Sequence, residues 1–296
     1  MKILLTGKDG QLGWELERSL QPLGEVCALD RAALDLTRPE TIAAVVGSVR
    51  PDVIVNAAAY TAVDRAETEE ALATTVNGTA VGELAEAARK QGAQLLHYST
   101  DYVFDGEATV PYREDAATNP RSAYGRSKVA GERAIAEVGG DWLIFRTSWV
   151  YGARGRNFMR AIANASLERE TLRVVADQCG IPTSARMLAD LSGFALRDVA
   201  ARWCESRFPR GIYHVTASGY TSWHTFAESI VSAVRTIRGD AVRTRAVEAI
   251  TTEEYGAAAP RPRYSVLDCT LFDTTFALNR SDWQAAFELV IADYFR

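Results

Sequence analysis

Residues 2–16, KILLTGKDGQLGWEL, pass from an apolar run through three glycines into a helical pattern. Gly7, Gly10 and Gly13 therefore follow a predicted strand and stand at the start of a predicted helix. Glycines at these places allow a tight turn, a close approach of the backbone to a pyrophosphate and close packing of helix on strand. The helix N-terminus would add amide donors and a favourable dipole for phosphates. Because the spacing is G-x-x-G-x-x-G and not the stricter G-x-G-x-x-G, the triplet alone fits an ordinary turn equally well.

Apolar, β-branched runs alternate with helical patterns through the first half of the chain. The predicted strands are KILLT, EVCALD, DVIVNAA, QLLHYS and WLIFRTS. The predicted helices cover residues 11–20, 39–46 and 71–90, and another follows YGRSK to about residue 138. This alternation is typical of βαβ units around a parallel sheet whose central strands are buried on both faces. We therefore predict an α/β fold with a Rossmann-type doubly wound parallel sheet.

Beyond Trp149 the alternation loosens. Helical patterns near residues 157–169, 187–203, 222–238 and 282–295 are separated by polar loops that contain Pro and Gly. We predict a dinucleotide-binding domain over residues 1–150, to which one helix near 186–203 returns. The remainder of 151–296 is predicted to form a smaller, mainly helical substrate-binding lobe.

The composition excludes several classes of protein. With 47% hydrophobic residues, a chain of 296 residues can bury a substantial core. Its 33 Lys and Arg and 38 Asp and Glu residues are scattered and give a net charge of -5, which argues against a nucleic-acid partner. The apolar runs are shorter than the roughly 18 to 20 residues that a membrane helix needs. We expect a cytoplasmic protein with no membrane partner.

Four cysteines, Cys27, Cys179, Cys204 and Cys269, lie far apart and form no Cys-x-x-Cys pair. This spacing favours reduced, buried thiols over a disulfide framework or a thiolate zinc site. The histidines and acids show no recognisable metal-ligand spacing either, so we predict no metal site.

The second predicted strand ends at Asp30, 20 residues after Gly10. An acid at this point can accept hydrogen bonds from an adenosine ribose, which favours NAD. Arg31 follows at once and could meet the 2′-phosphate of NADP, or it could be a solvated loop charge. The sequence therefore leaves NADH and NADPH open. After the third strand, small residues at 57–59 leave room for a cofactor, although close packing at a strand end explains them equally well.

The stretch AYGRSK places Tyr124 and Lys128 one turn apart on a predicted helix. A lysine ammonium beside a phenol stabilises the phenolate and lowers the phenol pKa from about 10, which makes it a better acid or base near neutral pH. Such a pair taken alone is more often a surface feature than a site. Upstream, Ser99 and Thr100 end the fourth predicted strand, at the edge of the sheet that faces the ligand crevice. A hydroxyl there can polarise a carbonyl oxygen.

Eight motifs in order along the chain carry a resemblance. They are TGKDGQLG, NAAAYTAVDRAE, STDYVFDG, YGRSK, FRTSWVYG, DQCGIPTSA, GIYHVTASG and APRPRYSVLD. Together they resemble the extended short-chain dehydrogenase/reductases and, within them, the dTDP-4-dehydrorhamnose reductases. The resemblance covers nearly the whole chain.

The resemblance implies reduction of the 4-keto group of dTDP-4-dehydro-L-rhamnose to dTDP-L-rhamnose by NADPH or NADH. It implies that Tyr124 donates the proton, that Lys128 lowers the pKa of Tyr124 and holds the nicotinamide ribose, and that Thr100 bonds the keto oxygen. The implied cofactor contacts are Gly7, Gly10, Gln11, Leu12, Gly13, Asp30, Arg31, Asp35, Leu36, Ala57, Ala59, Tyr60, Thr61, Tyr98, Tyr124 and Lys128. The implied substrate contacts are Thr100, Asp101, Tyr102, Trp149, Asn157, Gln178 and Arg261, the last of them to the diphosphate.

Each implied substrate contact also has a structural interpretation. Tyr102 and Trp149 could be core aromatics, and Asp101 could cap a turn or helix. The loop residues Asn157, Gln178 and Arg261 could equally be structural. The sequence Thr100-Asp101-Tyr102 lacks the glutamate that follows Asp in the similar 4,6-dehydratases, so we do not expect a dehydratase.

Two alternatives for the function stay open. One is a reductase of another nucleotide-sugar, and the other is a non-catalytic dinucleotide-binding regulator that resembles the regulatory subunit of methionine adenosyltransferase. The chain keeps Thr100, Tyr124 and Lys128, which favours an enzyme. Some similar reductases are magnesium-linked dimers, but Arg186 stands where they can carry an acid. The resemblance therefore adds no metal ion, and it leaves a homodimer as one possible oligomeric state.

Overall fold

The structure is a computed structural model that describes residues 1–202 and 208–296. Its strands are β1 (Lys2–Thr6), β2 (Glu25–Leu29), β3 (Val53–Asn56), β4 (Gln94–Thr100), β5 (Trp142–Thr147), β6 (Val150–Tyr151), β7 (Thr171–Val175), β8 (Cys179–Gly180), β9 (Thr183–Ser184), β10 (Gly211–His214), β11 (Thr221–Ser222) and β12 (Ala246–Ile250). Its helices are α1 (Gln11–Ser19), α2 (Ile42–Val49), α3 (Val63–Ala66), α4 (Glu70–Thr74), α5 (Ala80–Gln91), α6 (Ala123–Val138), α7 (Phe158–Glu168), α8 (Ala185–Arg202), α9 (Trp223–Arg238), α10 (Thr252–Tyr255), α11 (Thr270–Phe276) and α12 (Trp283–Tyr294).

The main sheet has six strands in the order β2-β1-β3-β4-β5-β10, and every neighbouring pair is parallel. This order confirms the predicted doubly wound α/β fold. The chain leaves β1 towards one face of the sheet and β3 towards the other, so the loops after these two strands diverge. A crevice at such a reversal, outside the carboxyl ends of the strands, is where open α/β sheets bind ligands.

Two helical layers cover the sheet because its strands are apolar on both faces. On one face, α1, α8 and α11 bury a cluster that includes Ile3, Leu5, Leu16, Val53, Phe145, Leu188, Leu196, Phe272 and Phe276. On the other face, α2, α5 and α6 bury a cluster that includes Leu4, Ile42, Val46, Ile54, Leu84, Ala88, Ile135 and Ile144. The helices that flank the crevice are thereby fixed against a packed sheet.

The second lobe is built around a separate core. Helices α7, α9 and α12 bury a cluster that includes Met159, Ile181, Phe226, Ile230, Trp283, Phe287 and Ile291. Three small two-stranded sheets accompany the helices, namely β6 with β9, β7 with β12 and β8 with β11. The sequence patterns do not predict these strands, and four of the six have only two residues, too few to show a period-two alternation.

The second half also supplies parts of the main sheet. Strand β10 pairs with β5, and α11 packs behind it, although neither element was predicted. The helix predicted near 187–203 is α8, which starts at Ala185 and packs on α1. Its predicted end at Trp203 lies outside the described residues. The short, glycine-bearing strand and the seven-residue helix are below the length at which periodicity is informative.

The cysteines only partly follow the expectation of buried thiols. Cys269 is buried and free, whereas Cys27 and Cys179 are free but partly exposed, so the prediction is wrong for these two. Cys27 lies on the edge strand β2, and Cys179 lies on a small surface sheet, where less chain covers them. Cys204 is outside the described residues. Within residues 1–202 and 208–296, the helices are too short or too polar to cross a membrane.

Candidate active site

The glycine loop between β1 and α1 is in contact with the loop after β3. Gly7 has φ +73°, and a Cβ there would lie 2.8 Å from the Ala58 nitrogen. A Cβ on Gly13 would lie 2.0 Å from the Gly7 carbonyl oxygen, so the helix starts directly against the turn. Gly10 caps α1 without a side-chain hydrogen bond to the first-turn amides. The three glycines therefore form a tight backbone turn at a helix N-terminus, the kind of place where pyrophosphates are bound.

The acid at the end of β2 is held inside the loop by two donors. Asp30 Oδ1 accepts from the Ala33 amide at 2.9 Å, and Oδ2 lies 3.3 Å from Lys8 Nζ. The Ala33 bond, followed by the Lys8 bond, lowers the pKa of Asp30. Arg31 is 78% exposed, and its Nε is 3.5 Å from Asp35 Oδ1. At the end of β2 there are therefore an exposed guanidinium paired with Asp35 and an acid paired with Lys8.

Some of the other predicted cofactor residues are buried or hydrogen-bonded within the protein, and the rest are exposed. Leu36 is buried, and Asp35 also accepts hydrogen bonds from Thr37. Tyr60 donates its hydroxyl to Glu69 at 2.6 Å, and its backbone is held on both sides by Asn77. The positions that remain are partly or fully exposed along the crevice, namely Gln11, Leu12, Ala57, Ala59 and Thr61.

The three predicted catalytic residues meet at the carboxyl end of β4. Tyr124 and Lys128 lie on α6, which begins at a Ser122 cap whose hydroxyl accepts from the Gly125 amide. Thr100 ends β4, and its hydroxyl lies near the Tyr124 side chain and acts on the pKa of the phenol. A Cβ on Gly125 would lie 2.3 Å from the Tyr102 carbonyl oxygen, so glycine lets α6 approach the loop after β4.

Desolvation dominates the pKa of Tyr124. It raises the pKa to about 12, and the nearby Thr100 side chain works in the other direction. This direction is opposite to the lowered pKa predicted from the Tyr-x-x-x-Lys spacing. The physical reason is burial, which disfavours the phenolate; Lys128 Nζ itself lies 2.6 Å from the Tyr98 carbonyl oxygen and 3.1 Å from His97 Nε2. Burial lowers the pKa of Lys128 to about 8.

Tyr98 reaches this site only through its backbone. Its side chain points to the other face of the sheet, is buried in the cluster with α8, and donates to Ser192 Oγ at 2.8 Å. Its carbonyl oxygen accepts from Lys128 on the site side.

Asp101 is a buried acid next to the predicted proton donor. It is 1% exposed, its Oδ1 accepts from the Thr100 hydroxyl at 3.0 Å, and its Oδ2 is buried without a hydrogen-bond partner. Burial raises the pKa of Asp101 to about 6. An unsatisfied buried carboxylate oxygen is costly, which supports a ligand at this position over the helix-cap interpretation alone.

Aromatic side chains form the wall of the crevice on the side of the second lobe. Trp149 stacks on Trp223 with ring centroids 3.5 Å apart, and Phe158 packs against Trp223 at 4.5 Å. Trp149 has φ +46°, a conformation that costs free energy for a residue other than glycine and is concentrated at functional sites. A Cβ on Gly180 would collide with the Trp149 ring at 2.4 Å, so glycine is required opposite it. Tyr102 packs edge-to-face on Tyr124.

The remaining predicted substrate residues divide into two kinds. Arg261 binds Asp64 through Nη2 at 2.9 Å, while its Nη1 is buried without a partner and could bind a phosphate oxygen. Asn157 is committed internally, because it caps α7 and donates to Gln11 and Gly152. Gln178 is buried and donates to Thr252 Oγ1 at 3.0 Å.

Sequence reasoning missed several residues that shape the site. Asn56 and His97 stand behind Lys128, Trp223 supports Trp149, and Asp64 holds Arg261. A signal was present for the first two, since each is a polar residue in a strand predicted to be buried on both faces, and both strands are buried along their length. Trp223 carried no such signal because its partner is distant in sequence.

Arg186 stands where similar reductases can carry an acid, and it lies between two acidic side chains. It binds Asp293 Oδ2 at 2.6 Å through Nη1 and lies 3.6 Å from Glu15 Oε2 through Nε. Across the part of the chain that the structure describes, no group of three or more His, Cys, Asp or Glu side chains could hold a metal ion.

The whole chain, residues 1–296, matches the family model described as the RmlD substrate binding domain. It is 49% identical over 294 residues to a curated dTDP-4-dehydrorhamnose reductase from Burkholderia thailandensis, with 99% of each chain covered. It is 43% identical over 305 residues to the dTDP-4-dehydrorhamnose reductase of Escherichia coli K12, with 100% of this chain and 98% of the relative covered.

Solved structures agree with the sequence relatives. A dTDP-4-dehydrorhamnose reductase from Bacillus anthracis in complex with NADP matches with a TM-score of 0.87 at 35% identity, covering 99% of both chains. The corresponding protein from Clostridium acetobutylicum matches with a TM-score of 0.90 at 36% identity and full coverage of both. Full-length similarity at these identities shows that the chain belongs to the dTDP-4-dehydrorhamnose reductase family.

Proposed function

We propose that this chain reduces the 4-keto group of dTDP-4-dehydro-L-rhamnose to give dTDP-L-rhamnose, with NADPH or NADH as the reductant. The observation that carries the proposal is the meeting of Thr100, Tyr124 and Lys128 at the carboxyl end of β4, beside the glycine turn. The family relatives named as this reductase, and the relative solved with NADP, support the substrate and the cofactor.

The chemistry divides between the cofactor and the protein. When bound, the dihydronicotinamide supplies the hydride for the carbonyl carbon. Tyr124 donates its hydroxyl proton to the carbonyl oxygen, which becomes the new hydroxyl group. The Lys128 ammonium, one turn along α6, stabilises the tyrosinate that is left.

Thr100 has one hydroxyl proton, and in the structure this proton is directed to Asp101 Oδ1. We propose that it turns to the keto oxygen when the sugar binds, so that two donors polarise the carbonyl. Asp101 Oδ2, which is buried without a partner, then accepts from a sugar hydroxyl. In the complex, a sugar hydroxyl on Oδ2 replaces the donor that Asp101 loses when the Thr100 hydroxyl turns away.

The remaining proposed contacts with the sugar and the diphosphate come from residues that line the crevice. Trp149, Tyr102 and Asn157 border the sugar, with Trp149 held flat by Trp223. Arg261 binds the diphosphate through the guanidinium nitrogen that has no internal partner, and Gln178 lies on the loop that faces it.

We also propose a role for each part of the chain, a compartment and an oligomeric state. The dinucleotide binds mainly to residues 1–150 and the sugar mainly to the remainder, with α8 returning to the first part. The protein works in the cytoplasm, where reduced dinucleotides and nucleotide-sugars are both present. A homodimer rests on the family resemblance, and sedimentation equilibrium on the purified protein tests it.

The proposal is tested by following nicotinamide absorbance when the purified protein is mixed with NADPH or NADH and dTDP-4-dehydro-L-rhamnose. We expect oxidation that requires the sugar and stops when the sugar is consumed. The matched control replaces the sugar with its 4-hydroxy product. Dinucleotide binding without oxidation by either cofactor would reject the proposal and favour another nucleotide-sugar or a regulatory role.

A further inference from the structure

Three polar side chains form a row across the middle of the main sheet, under the helix that carries Lys128. Thr6 on β1 is in register with Asn56 on β3, which is in register with His97 on β4. Thr6 Oγ1 is 2.6 Å from Asn56 Oδ1, and Asn56 Nδ2 is 3.0 Å from His97 Nδ1. We call these three residues the polar row. They are at most 1% exposed, which is unusual for polar groups inside a parallel sheet.

The polar row connects the cofactor loops with the proposed catalytic lysine. At one end, Thr6 Oγ1 accepts from the Ala58 amide at 3.2 Å, and Ala58 is the residue that meets Gly7. At the other end, His97 Nε2 is 3.1 Å from Lys128 Nζ. The row is therefore continuous from the loops of β1 and β3 to α6.

Lys128 depends on neutral partners for its charge. Its Nζ is bound by the Tyr98 carbonyl oxygen and by His97, and both are uncharged acceptors when the imidazole is neutral. The nearest acid on α6 is Glu132, one turn further on, but both its oxygens are taken by Arg146 at 2.9 and 2.7 Å. His97 is thus one of the few groups that can stabilise the ammonium directly.

The hydrogen bonds of the polar row can be arranged with donors and acceptors in either of two orders. An ammonium has no lone pair, so beside charged Lys128 the His97 Nε2 must accept and the ring proton must be on Nδ1. Asn56 then turns its amide oxygen to Nδ1. In the structure the Asn56 NH₂ group faces Nδ1, an arrangement in which Nε2 carries the proton and faces an uncharged amine. The charge of Lys128 is therefore coupled to the order of donors and acceptors in the row.

We propose that His97 is a positioning residue for Lys128, and that the polar row holds the ammonium in place from the cofactor loops. His97 touches neither the sugar nor the reacting atoms. The inference rests on the role of Lys128 given under the proposed function. It predicts that the row sets the pH at which Lys128 loses its proton.

The groups that face Lys128 define what a pH profile reports. They are His97 on β4, Tyr124 and Glu132 on α6, and Arg146 on β5 behind Glu132. Next to Lys128 on α6, Ser127 accepts from Asn77 of the turn before α5, and neither of these side chains titrates. Burial places the pKa of Lys128 near 8, so Lys128 is the group expected to titrate in this range.

The test compares His97→Leu with the unaltered protein across pH. Loss of a hydrogen bond to a charged group should move the alkaline fall in kcat to lower pH by about one to two units, with the dinucleotide Kd nearly unchanged. His97→Gln keeps a carbonyl oxygen and should restore the alkaline limb. His214→Leu is the matched control, because His214 is equally buried but bonds backbone oxygens at the far edge of the sheet. It should leave the limb in place.

An unchanged alkaline limb in a folded His97→Leu protein would overturn the inference. Full activity of Lys128→Met would instead reject the role proposed for the lysine, so the two failures differ. If His97→Leu does not fold, ¹⁵N NMR of the unaltered chain, which has three histidines, gives the answer. Below pH 8 we expect His97 neutral with the proton on Nδ1. A proton on Nε2 under those conditions would contradict the proposal.

Discussion

Arg31 is the side chain that should distinguish the two nicotinamide cofactors. Lys8 and the Ala33 amide already bind Asp30, so the acid presents less uncompensated charge to a 2′-phosphate. Arg31 is exposed and could bind that phosphate, whereas NADH offers only a ribose hydroxyl.

We expect Arg31→Ala to raise KM for NADPH about tenfold and to change KM for NADH little, as for loss of one charge-assisted hydrogen bond. Steady-state kinetics with each cofactor measures both values. Arg38→Ala is the control, since Arg38 lies in the same loop, is 67% exposed and pairs only with neighbouring Glu40. An equal effect of Arg31→Ala on both cofactors would mean that Arg31 does not read the phosphate.

The start of α1 is the element whose geometry the cofactor most needs. Gly13→Ala places a methyl group 2.0 Å from the Gly7 carbonyl oxygen, and backbone on both sides leaves it no room. We expect the helix to shift from the turn, with loss of most dinucleotide affinity and a lower Tm. Calorimetric titration with NADPH and thermal unfolding measure the two effects.

Gly47→Ala is the matched control for this helix. Gly47 lies within α2, and the nearest atom to an added Cβ is the Gln91 amide nitrogen at 4.0 Å. Alanine should therefore stabilise the helix by up to about 1 kcal/mol without changing dinucleotide affinity. Equal losses in the two variants would show that the contact between Gly13 and Gly7 is unimportant.

Elements whose own residues carry a local pattern could be predicted from sequence, whereas those defined by pairing with a distant strand could not. Strands β1 and β3 to β5 are apolar runs between turn signals, and α1 and α6 carry an extended pattern with glycine or serine at the start. Strand β10, with the sequence GIYH, gave no such signal because it has only one β-branched residue and is recognisable only by its pairing with β5.

The same distinction applies to the site. Thr100, Tyr124 and Lys128 could be proposed because each follows from a local motif. Their environment could not, since the pKa of Tyr124 depends on burial and on how Lys128 is engaged by β4. The polar row required strand register, which sequence patterns do not give.

The two lobes meet through the stacked indoles of Trp149 and Trp223. Trp149 follows β5 of the main sheet, and Trp223 begins α9 of the second lobe. The stack holds the Trp149 ring, whose backbone has φ +46°, at the place where we propose that the sugar binds.

We expect Trp223→Ala to raise KM for the sugar about tenfold, because Trp149 loses the surface that holds its ring, while the dinucleotide Kd stays the same. Kinetics with varied sugar and a separate NADPH titration give the comparison. A parallel loss of dinucleotide affinity would show that the stack supports the fold generally and not the sugar wall.

Sugar-dependent NADPH oxidation by Tyr124→Phe, with NADPH binding measured on the same preparation, is the most direct test of the proposed reduction. Loss of the proton donor should lower kcat by about 10² to 10⁴ while NADPH binding persists. Tyr151→Phe is the control, because the Tyr151 hydroxyl is buried in the second-lobe core without a hydrogen-bond partner, and its removal should leave turnover unchanged. Near-normal turnover in Tyr124→Phe would contradict the proposed reduction mechanism.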